Sequence, residues 1–436
     1  MRTPFPVVGV ALLAALPFLV SAGLLNASIQ MLIAALFACA YSLLAGRAGM
    51  LSFGHAAYFG VGAFATVHAM NALGGAGLLP TPLMPLVGAV AGLAFGLVAG
   101  WFATQRSGTV FAMITLAIAE LLHALAPQLK GWFGGESGVS SMRVPAWGLN
   151  FGSTTQVYYL TLAWVLISLA ALYFHSRTPL GRLTLGLREN AHRLRFLGYN
   201  MHGLGVSAFA LSAMFSGIAG GLQVISNESA NYAVFDAGVS ASVVLNCFIG
   251  GVGSFLGPAL GAALMTFFGY TVSDQTQVWL LYQGTLFVLV MMYMPDGLTG
   301  LVSTTAALAR RHGVSKVLPL ALMWIVAAVL VTAGAVFVVE MLQRLFSQDY
   351  RALAKLSATP PTIALFGRNW VAASVSTWPV PAGLLAPGSL IGWGAVRRLR
   401  ALSQSDATNG RMDAGTLEVP TPDATPAMGL PEQVRT

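Results

Sequence analysis

Long apolar stretches recur along this chain, and they constrain its fold more than any other feature of the sequence. Stretches of about 20 residues with few charges are long enough to cross a hydrocarbon core of roughly 30 Å as helices. Only 8% of the residues are charged and the mean hydropathy is +0.74, whereas a soluble domain carries about 25% charged residues. We therefore predict an all-α polytopic membrane protein embedded in a lipid bilayer, with about 9–11 transmembrane helices.

The apolar runs define the predicted spans, which polar or glycine-rich segments separate. The spans lie at about 6–25, 27–45, 52–70, 83–104, 108–126, 156–175, 204–224, 240–269, 278–294 and 317–339. The segment 240–269 is too rich in glycine for one plain helix, so we expect a break near Gly250–Pro258 into two short helices. Residues 1–22 resemble a cleavable signal peptide, but an uncleaved first span is the preferred interpretation.

The distribution of positive charge orients the predicted spans. The loop at 176–203 contains five arginines, and cytoplasmic loops carry an excess of Lys and Arg. This loop and the N-terminus are therefore predicted to be cytoplasmic. The loop at 225–239 has acidic residues and no Lys or Arg, as an outer loop should. The same bias explains the net charge of +8, and we expect no nucleic-acid partner.

Three regions follow one another along the chain. Residues 1–302 carry most of the spans, and residues 303–400 form a further hydrophobic extension with one or two spans. Residues 401–436 are rich in Pro, Thr, Asp and Ala without apolar periodicity, which predicts a disordered polar tail. Two interrupted, glycine-rich segments, at 46–65 and 249–263, occupy corresponding places in the first 300 residues. We predict from them an internal inverted repeat, with glycine-broken helices beside a central pathway.

A polar group interrupts the apolar run "SFGHAAYFGVGAF" at residues 52–64. Ser52 and His55 lie at the start of a predicted span, and Gly54 would let another backbone approach closely. An ionisable group at membrane depth usually faces a cavity or the interior of the bundle. Two interpretations stay open, a polar passage lined by these residues or tight helix packing with His55 bonded to a carbonyl.

A carboxylate stands in the apolar helix predicted at 108–126. Glu120 precedes His123 by three residues, on the same helix face. The E-x-x-H pattern also occurs in di-metal helix bundles, but those sites need further carboxylates and a second copy of the motif. The other spans offer none, so we predict no metal site. Glu120 is then a buried polar anchor or part of an external mouth.

The loop at 179–203 has an amphipathic pattern that ends at Gly198. Leu183, Leu187, Leu194 and Leu197 recur at near-helical intervals, and arginines occupy the remaining positions. Such a helix could dock a soluble partner or lie on anionic lipid.

Nucleotide-binding and hydrolytic motifs are missing from the sequence. There is no G-x-x-x-x-G-K-[ST] phosphate loop, and no Ser-His-Asp elbow, HExxH or Rossmann fingerprint. We therefore predict that this chain binds no cofactor and is not an enzyme. Any nucleotide that drives it would bind another chain.

Several long motifs, in sequence order, carry a family resemblance. They are "YSLLAGRAGMLSFGHAAYFGVGAFAT" (41–66), "GTVFAMITLAIAELLHAL" (108–125), the segment 178–222 containing "LREN" and "LGYN", "FIGGVGSFLGPALGAALM" (248–265) and "YMPDGLTGL" (293–301). In this order they resemble the permease subunits of branched-chain amino acid ABC importers. The resemblance covers about residues 25–302, which would be the importer permease domain.

The resemblance implies a function, partners and a location. It implies a bacterial inner-membrane importer of branched-chain amino acids, with a periplasmic binding protein, two cytoplasmic ATPase subunits that bind ATP, and a sister permease. The family's coupling helix maps onto Arg188, Glu189, Asn190 and Gly198. The run at 46–66 maps onto the membrane core around the translocation path. We accordingly assign Ser52, Gly54, His55 and Glu120 to the path or core.

The chain departs from the family pattern in two places. After "REN" it has the basic "AHRLRF", where the family favours small or acidic residues, and this bears on the identity of the ATPase partner. About 130 residues follow the last motif and carry no ATPase features. Urea, short amides and aromatic acids remain open as substrates. Two other functions also remain open, an ion-driven secondary transporter of a small polar solute and a membrane enzyme using Glu120 and His123.

Overall fold

The computed structural model describes residues 5–273, 276, 278–294, 296–348, 350–352, 362–365, 368–371 and 374–415. Two compact units divide the chain, Met1–Thr304 and Thr305–Thr436. Each is described by itself below.

Helices make up almost the whole first unit. In chain order they are α1 (Phe5–Ala15), α2 (Ala22–Ser42), α3 (His55–Ala69), α4 (Pro85–Ala103), α5 (Thr109–Leu125), α6 (Lys130–Phe133), α7 (Thr154–Arg177), α8 (Pro179–Phe196), α9 (Met201–Asn227), α10 (Ala237–Gly250), α11 (Gly257–Ser273), α12 (Trp279–Tyr293) and α13 (Gly297–His312), the last of which runs across the unit boundary. Short π-helices extend α2 over Leu43–Ala48 and α3 over Met70–Gly74.

Within the described residues, six helices are long and apolar enough to cross a membrane. They are Ala22–Ala48, Thr81–Ala103, Thr154–Arg177, Met201–Asn227, Val317–Phe346 and Pro379–Arg398. Two bent helix pairs, α5 with α6 and α12 with α13, bring the number to 8 if each is one span. The predicted all-α polytopic membrane class is confirmed. The predicted number of spans also included α1, α3 and α10, which have only 11, 15 and 14 residues.

The boundary between the first two predicted spans was misplaced. We predicted spans at 6–25 and 27–45, but α1 ends at Ala15 and α2 already begins at Ala22. Pro17 lies in a single 3₁₀ turn between them, and a proline cannot donate the hydrogen bond that would continue a helix. Ser21 is extended, with φ −68° and ψ 161°, and it precedes the first turn of α2.

The predicted break in the segment 240–269 is confirmed. Helix α10 ends at Gly250 and α11 begins at Gly257. Gly251 has a φ of +104°, a region that side chains rarely adopt, so a glycine is needed where the chain leaves α10.

The loops before α3 and before α11 resemble each other. Each starts with a glycine of positive φ, Gly49 at +70° and Gly251 at +104°. Each contains a serine hydroxyl that accepts a hydrogen bond from a following backbone N–H, at 3.3 Å for Ser52 and 2.9 Å for Ser254. This likeness supports the internal repeat, whose inverted topology stays a prediction.

Helix α9 is the central helix of the first unit and packs against α2, α3 and α4. Its Gly217 lies directly against backbone atoms of Gly62 in α3 and of Gly88 in α4. Small residues at such crossings let helix backbones approach closely in a membrane bundle. The glycine-rich composition of this region therefore serves packing around α9.

One short antiparallel strand pair lies beyond the helix ends. Strand β1 (Val139–Ser140) pairs with β2 (Ser229–Ala230), with Val139 opposite Ala230. The pair joins the long segment after α5 to the C-terminal end of α9.

The second unit contains two long helices, α14 (Val314–Phe346) and α15 (Pro379–Gly415). An antiparallel pair of strands, β3 (Ile363–Leu365) and β4 (Arg368–Trp370), lies between them in sequence. Helix α15 continues past residue 401, where the predicted polar tail begins. The rest of that tail, 416–436, lies outside the described residues, so its predicted disorder stays a prediction.

Candidate functional site

His55 is fully buried at the start of α3 and bonds to two serines. Its Nδ1 lies 3.0 Å from the Ser52 hydroxyl, and its Nε2 lies 2.8 Å from the Ser212 hydroxyl of α9. All three residues have 0% of their surface exposed. The imidazole therefore joins the loop before α3 to the central helix.

The direction of these hydrogen bonds assigns the form of the ring. Ser212 donates its single O–H to the Ala40 carbonyl of α2, at 2.6 Å. It can then only accept from His55, so Nε2 carries a proton. The unprotonated Nδ1 accepts from Ser52. His55 is thus a neutral imidazole whose two nitrogens are both satisfied.

Aromatic rings enclose this imidazole. Tyr41, Tyr58 and Phe209 lie with ring centroids 5.0, 5.4 and 6.1 Å from that of His55. All three side chains are completely buried. The imidazole therefore lies in a closed polar and aromatic core of the bundle.

The loop that carries Ser52 is attached to α5. The Phe53 N–H donates to the Thr115 hydroxyl at 3.2 Å. A methyl group on Gly54 would overlap the Thr115 carbonyl, so only glycine allows this close approach. Ser52, Gly54 and His55 thus share one closely packed loop and helix start, and their contacts favour the packing interpretation over a polar passage.

Three partners of this site were missed in the sequence. They are Ser212 of α9, Thr115 of α5 and Ser240 of α10, whose hydroxyl accepts from the Ala56 N–H at 2.9 Å. Ser240 thereby satisfies one of the free N–H groups in the first turn of α3. A hint was present in "SAMFSG" at 212–217, where two hydroxyls lie one turn apart in an apolar helix.

Glu120 does not join this cluster. Its side chain is exposed on the surface of α5, so the predicted buried anchor is wrong for the chain taken alone. His123 packs its ring against Tyr232 instead, with centroids 5.7 Å apart. Within the described residues, no three His, Cys, Asp or Glu side chains are placed to hold a metal ion.

Arg188 of α8 points back toward the membrane helices. Its Nη1 donates to the Gly46 carbonyl in the π-helical end of α2, at 2.5 Å, and its stem lies against Gly49. Arg47, in the same π-helix, donates to the carbonyls of Ser176 and Gly181 at 3.0 and 3.3 Å. Two arginines thus connect α8 to the loop that precedes His55.

The next two residues of α8 face outward. Glu189 and Asn190 are exposed. Asn190 has non-helical dihedral angles, φ −159° and ψ 86°, and breaks α8 into two segments. Its Oδ1 accepts from the Arg193 N–H at 2.9 Å, which caps the second segment. The break presents Glu189 and Asn190 at a bend in the surface.

Gly198 ends α8 as predicted, through a Schellman motif. The Gly198 N–H donates to Arg195 O at 3.0 Å, and the Tyr199 N–H donates to Leu194 O at 3.1 Å. This pattern requires a left-handed residue after the helix, and Gly198 has a φ of +84°. The segment thus has three local roles. Arg188 bonds the end of α2, Glu189 and Asn190 lie at the exposed bend, and Gly198 ends the helix.

An ion pair lies at the C-terminal end of α9, between Glu228 and the segment after β1. Arg143 Nε lies 3.0 Å from Glu228 Oε1, and the Arg143 backbone N–H donates to the same oxygen at 3.1 Å. The backbone hydrogen bond and the guanidinium hold the pKa of Glu228 below its ordinary range. The pair fixes the segment after β1 against the end of α9.

Residues 23–295 match a family model described as branched-chain amino acid transport system / permease component. The chain is 27% identical over 336 residues to the high-affinity branched-chain amino acid transport system permease protein LivM of Escherichia coli, covering 72% of this chain and 78% of that one. It is 28% identical over 324 residues to LivM of Salmonella typhimurium, covering 69% and 75%.

A third relative is more distant. BraD of Pseudomonas aeruginosa, a permease protein of the same kind of system, is 23% identical over 287 residues, covering 61% of this chain and 91% of that one. No solved structure matches the chain. The relatives are transport permeases, which confirms the prediction of a transport subunit rather than an enzyme.

Proposed function

This chain belongs to the family of branched-chain amino acid transport system permease components, and from that premise we propose that it is the membrane subunit of an ATP-driven importer. Its substrates are branched-chain amino acids, as the names of the relatives indicate for those proteins. ATP is hydrolysed by two separate cytoplasmic subunits, since this sequence contains no phosphate-loop motif. A second, similar permease completes the membrane part.

One observation carries the coupling part of this proposal. Helix α8 is amphipathic, basic and exposed at its bend, while its Arg188 is bonded to the end of α2. A soluble ATPase that moves Glu189 and Asn190 would displace the Gly46 carbonyl through the hydrogen bond of the neighbouring Arg188. We assign Arg188, Glu189, Asn190 and Gly198 to the coupling element on this basis.

The buried cluster would carry the movement into the bundle. The loop after Gly49 leads within three residues to Ser52, and Ser52 is bonded to His55. His55 is bonded in turn to Ser212 of the central helix. Ser52, Gly54 and His55 therefore act as core residues that keep α3 and α9 together while the subunit changes shape.

Glu120 is exposed on the surface of α5, so its proposed role differs from that of the buried residues around His55. A carboxylate exposed to hydrocarbon would be costly, and such groups almost always face a protein or water-filled interior. We assign the surface of α5 around Glu120 to the contact with the sister permease, where the translocation path runs. In that setting Glu120 faces the path and not lipid.

Orientation follows from the arginines. The five arginines of the loop 176–203 put α8 and the N-terminus in the cytoplasm of a bacterial inner membrane. The outer side then carries β1, β2 and the Arg143–Glu228 pair. These segments form the surface on which a periplasmic binding protein would release its substrate.

Uptake of radiolabelled leucine into right-side-out membrane vesicles tests the proposal. Right-side-out vesicles loaded with ATP and supplied with the binding protein are expected to accumulate leucine, and a protonophore should leave this uptake intact. An ion-driven transporter would accumulate leucine without ATP and would stop when the protonophore is added. Accumulation that stops with the protonophore and ignores ATP would overturn the proposed importer.

A further inference from the structure

A cavity of about 170 Å³ lies beside the contacts of Arg188. The π-helical end of α2, the last turns of α7, the first half of α8 and the loop before α11 surround it. Thirteen described residues line it, and none of them is Asp or Glu. The polar members are two arginines, Arg47 and Arg188, and three serines, Ser42, Ser176 and Ser254.

The two guanidinium groups bring positive charge that no carboxylate balances within the described residues. Within the described part, Arg47 and Arg188 each use one nitrogen, Nη1, to bond backbone carbonyls. The described ion pairs, Arg143–Glu228 and Arg344–Glu340, involve neither of them. An arginine has five N–H donors, so each guanidinium keeps N–H groups that are available to bind an anion.

The rim of the cavity is apolar and continues along the protein surface. Phe255 lines the cavity, and the residues that follow it begin an exposed stripe at helical spacing. Leu256, Leu260 and Leu264 are 53%, 59% and 46% exposed. A ligand that enters with its charged end at the arginines would lay an apolar part along this stripe.

We propose that this cavity binds the phosphate headgroup of an anionic phospholipid. A phosphate diester offers two free oxygens to a pair of guanidinium forks. The acyl chains follow Leu256, Leu260 and Leu264 into the hydrocarbon. Basic pockets between helices at the cytoplasmic side have the chemistry for such headgroups.

The site has a consequence for coupling. A phosphate held by Arg47 and Arg188 would join the π-helical end of α2 to α8 through a third component. The lipid would thus brace the same connection that the Arg188–Gly46 hydrogen bond makes. An importer in a membrane without anionic lipid would lose part of this brace.

Native mass spectrometry of the delipidated full-length protein tests the proposal. The probes are dioleoylphosphatidylglycerol, dioleoylphosphatidylcholine and inorganic phosphate. The wild-type protein should retain phosphatidylglycerol about tenfold better than phosphatidylcholine. The double variant R47Q/R188Q should lose this preference. The control R182Q/R193Q removes two exposed arginines of the same helix and should keep it.

A second variant keeps both arginines and reduces only the volume of the cavity. Gly253 lines the cavity, and a Cβ added there meets nothing within 4 Å. Gly253→Leu should therefore fold normally and exclude the headgroup. Equal retention of the two lipids by the wild type, or an unchanged preference in Gly253→Leu, would overturn the proposal. Displacement of phosphatidylglycerol by inorganic phosphate at equal concentration would assign the site to a soluble anion and overturn the lipid assignment.

Discussion

The Arg188 guanidinium of α8 donates to the Gly46 carbonyl at the π-helical end of α2. This hydrogen bond joins a surface helix to the backbone of a membrane helix across 142 positions of sequence. A π-helical turn is a common device at functional positions, because it interrupts the regular hydrogen bonding of a helix. The connection therefore lies where a movement of α8 can reach the loop that precedes His55.

Replacing Arg188 by glutamine should uncouple the importer. The shorter neutral side chain cannot reach Gly46 with a charge-assisted hydrogen bond, so movement of α8 reaches the core less directly. We expect ATP hydrolysis by the complex to persist while leucine uptake falls by about tenfold or more. Both rates would be measured in proteoliposomes that contain the purified complex.

The matched control for this change is Arg182→Gln. Arg182 is an exposed arginine of the same helix and lies outside the contacts described for Arg188. Its replacement should leave the ratio of uptake to hydrolysis unchanged. Equal uptake by wild type and Arg188→Gln would contradict the role given to this side chain.

Replacing Ser212 by alanine should destabilise the buried cluster. It leaves His55 Nε2 and the Ala40 carbonyl without their common partner, and buried groups left unpaired cost about 1–3 kcal/mol. Denaturant unfolding of the purified protein measures the change. Ser207→Ala is the control on the same helix, because Ser207 bonds only a carbonyl of its own first turns. A change of the same size in both variants would rule out a special role for Ser212.

The Arg143–Glu228 ion pair should make the surface formed by β1 and β2 sensitive to acid. The backbone N–H and guanidinium of Arg143 keep the pKa of Glu228 below its ordinary value of 4.5. A carboxyl group with a lowered folded pKa contributes stability above its unfolded pKa, and this contribution is lost as the pH falls through the folded pKa. Protection of the β1–β2 amides should therefore be constant from neutral pH to about pH 5 and decline below that.

Hydrogen exchange of residues 139–143 at several pH values measures this effect. Glu228→Gln should remove the acid-dependent decline and lower protection at neutral pH. Glu136→Gln changes an exposed carboxylate shortly before β1 and should leave the profile as in the wild type. A profile unchanged in Glu228→Gln would show that another group controls these amides.

Replacing Glu120 by leucine tests whether its carboxylate faces lipid or the translocation path. If α5 faces the sister permease, leucine should reduce transport by about tenfold without lowering the amount of protein in the membrane. Glu120→Asp keeps the charge and should retain most of the transport. Wild-type uptake in Glu120→Leu, accompanied by higher thermal stability, would place this surface against lipid. Initial uptake rates and membrane abundance are the two measurements.

Local features of the fold could be predicted from the sequence because nearby residues determine them. The break after Gly250 and the end of α8 at Gly198 both depend on glycines with positive φ. Apolar runs of sufficient length predicted the long helices. The error at α1 and α2 is also local, since the 3₁₀ turn at Pro17 ends the first helix earlier than hydropathy alone indicates.

The partners of His55 could not be predicted in the same way. Ser212 lies 157 positions further along the chain, and Ser240 and Thr115 come from two other helices. Spacing within one helix says which residues share a face, but not which helix packs against that face. The same limit applies to Glu120, for which the sequence left two roles open, a buried anchor and part of an external mouth. Its helix presents it on the surface of this subunit.

Cross-linking from Glu189 tests the central claim, that α8 docks on an ATPase, most directly. The two native cysteines, Cys39 and Cys247, are both buried, so a cysteine introduced as E189C is the accessible cysteine of this chain and can carry a photoreactive reagent. We predict a covalent adduct with a phosphate-loop ATPase, which E136C on the outer side does not form. Labelled E189C that yields no ATPase adduct, in membranes that still import leucine, would contradict the proposed coupling.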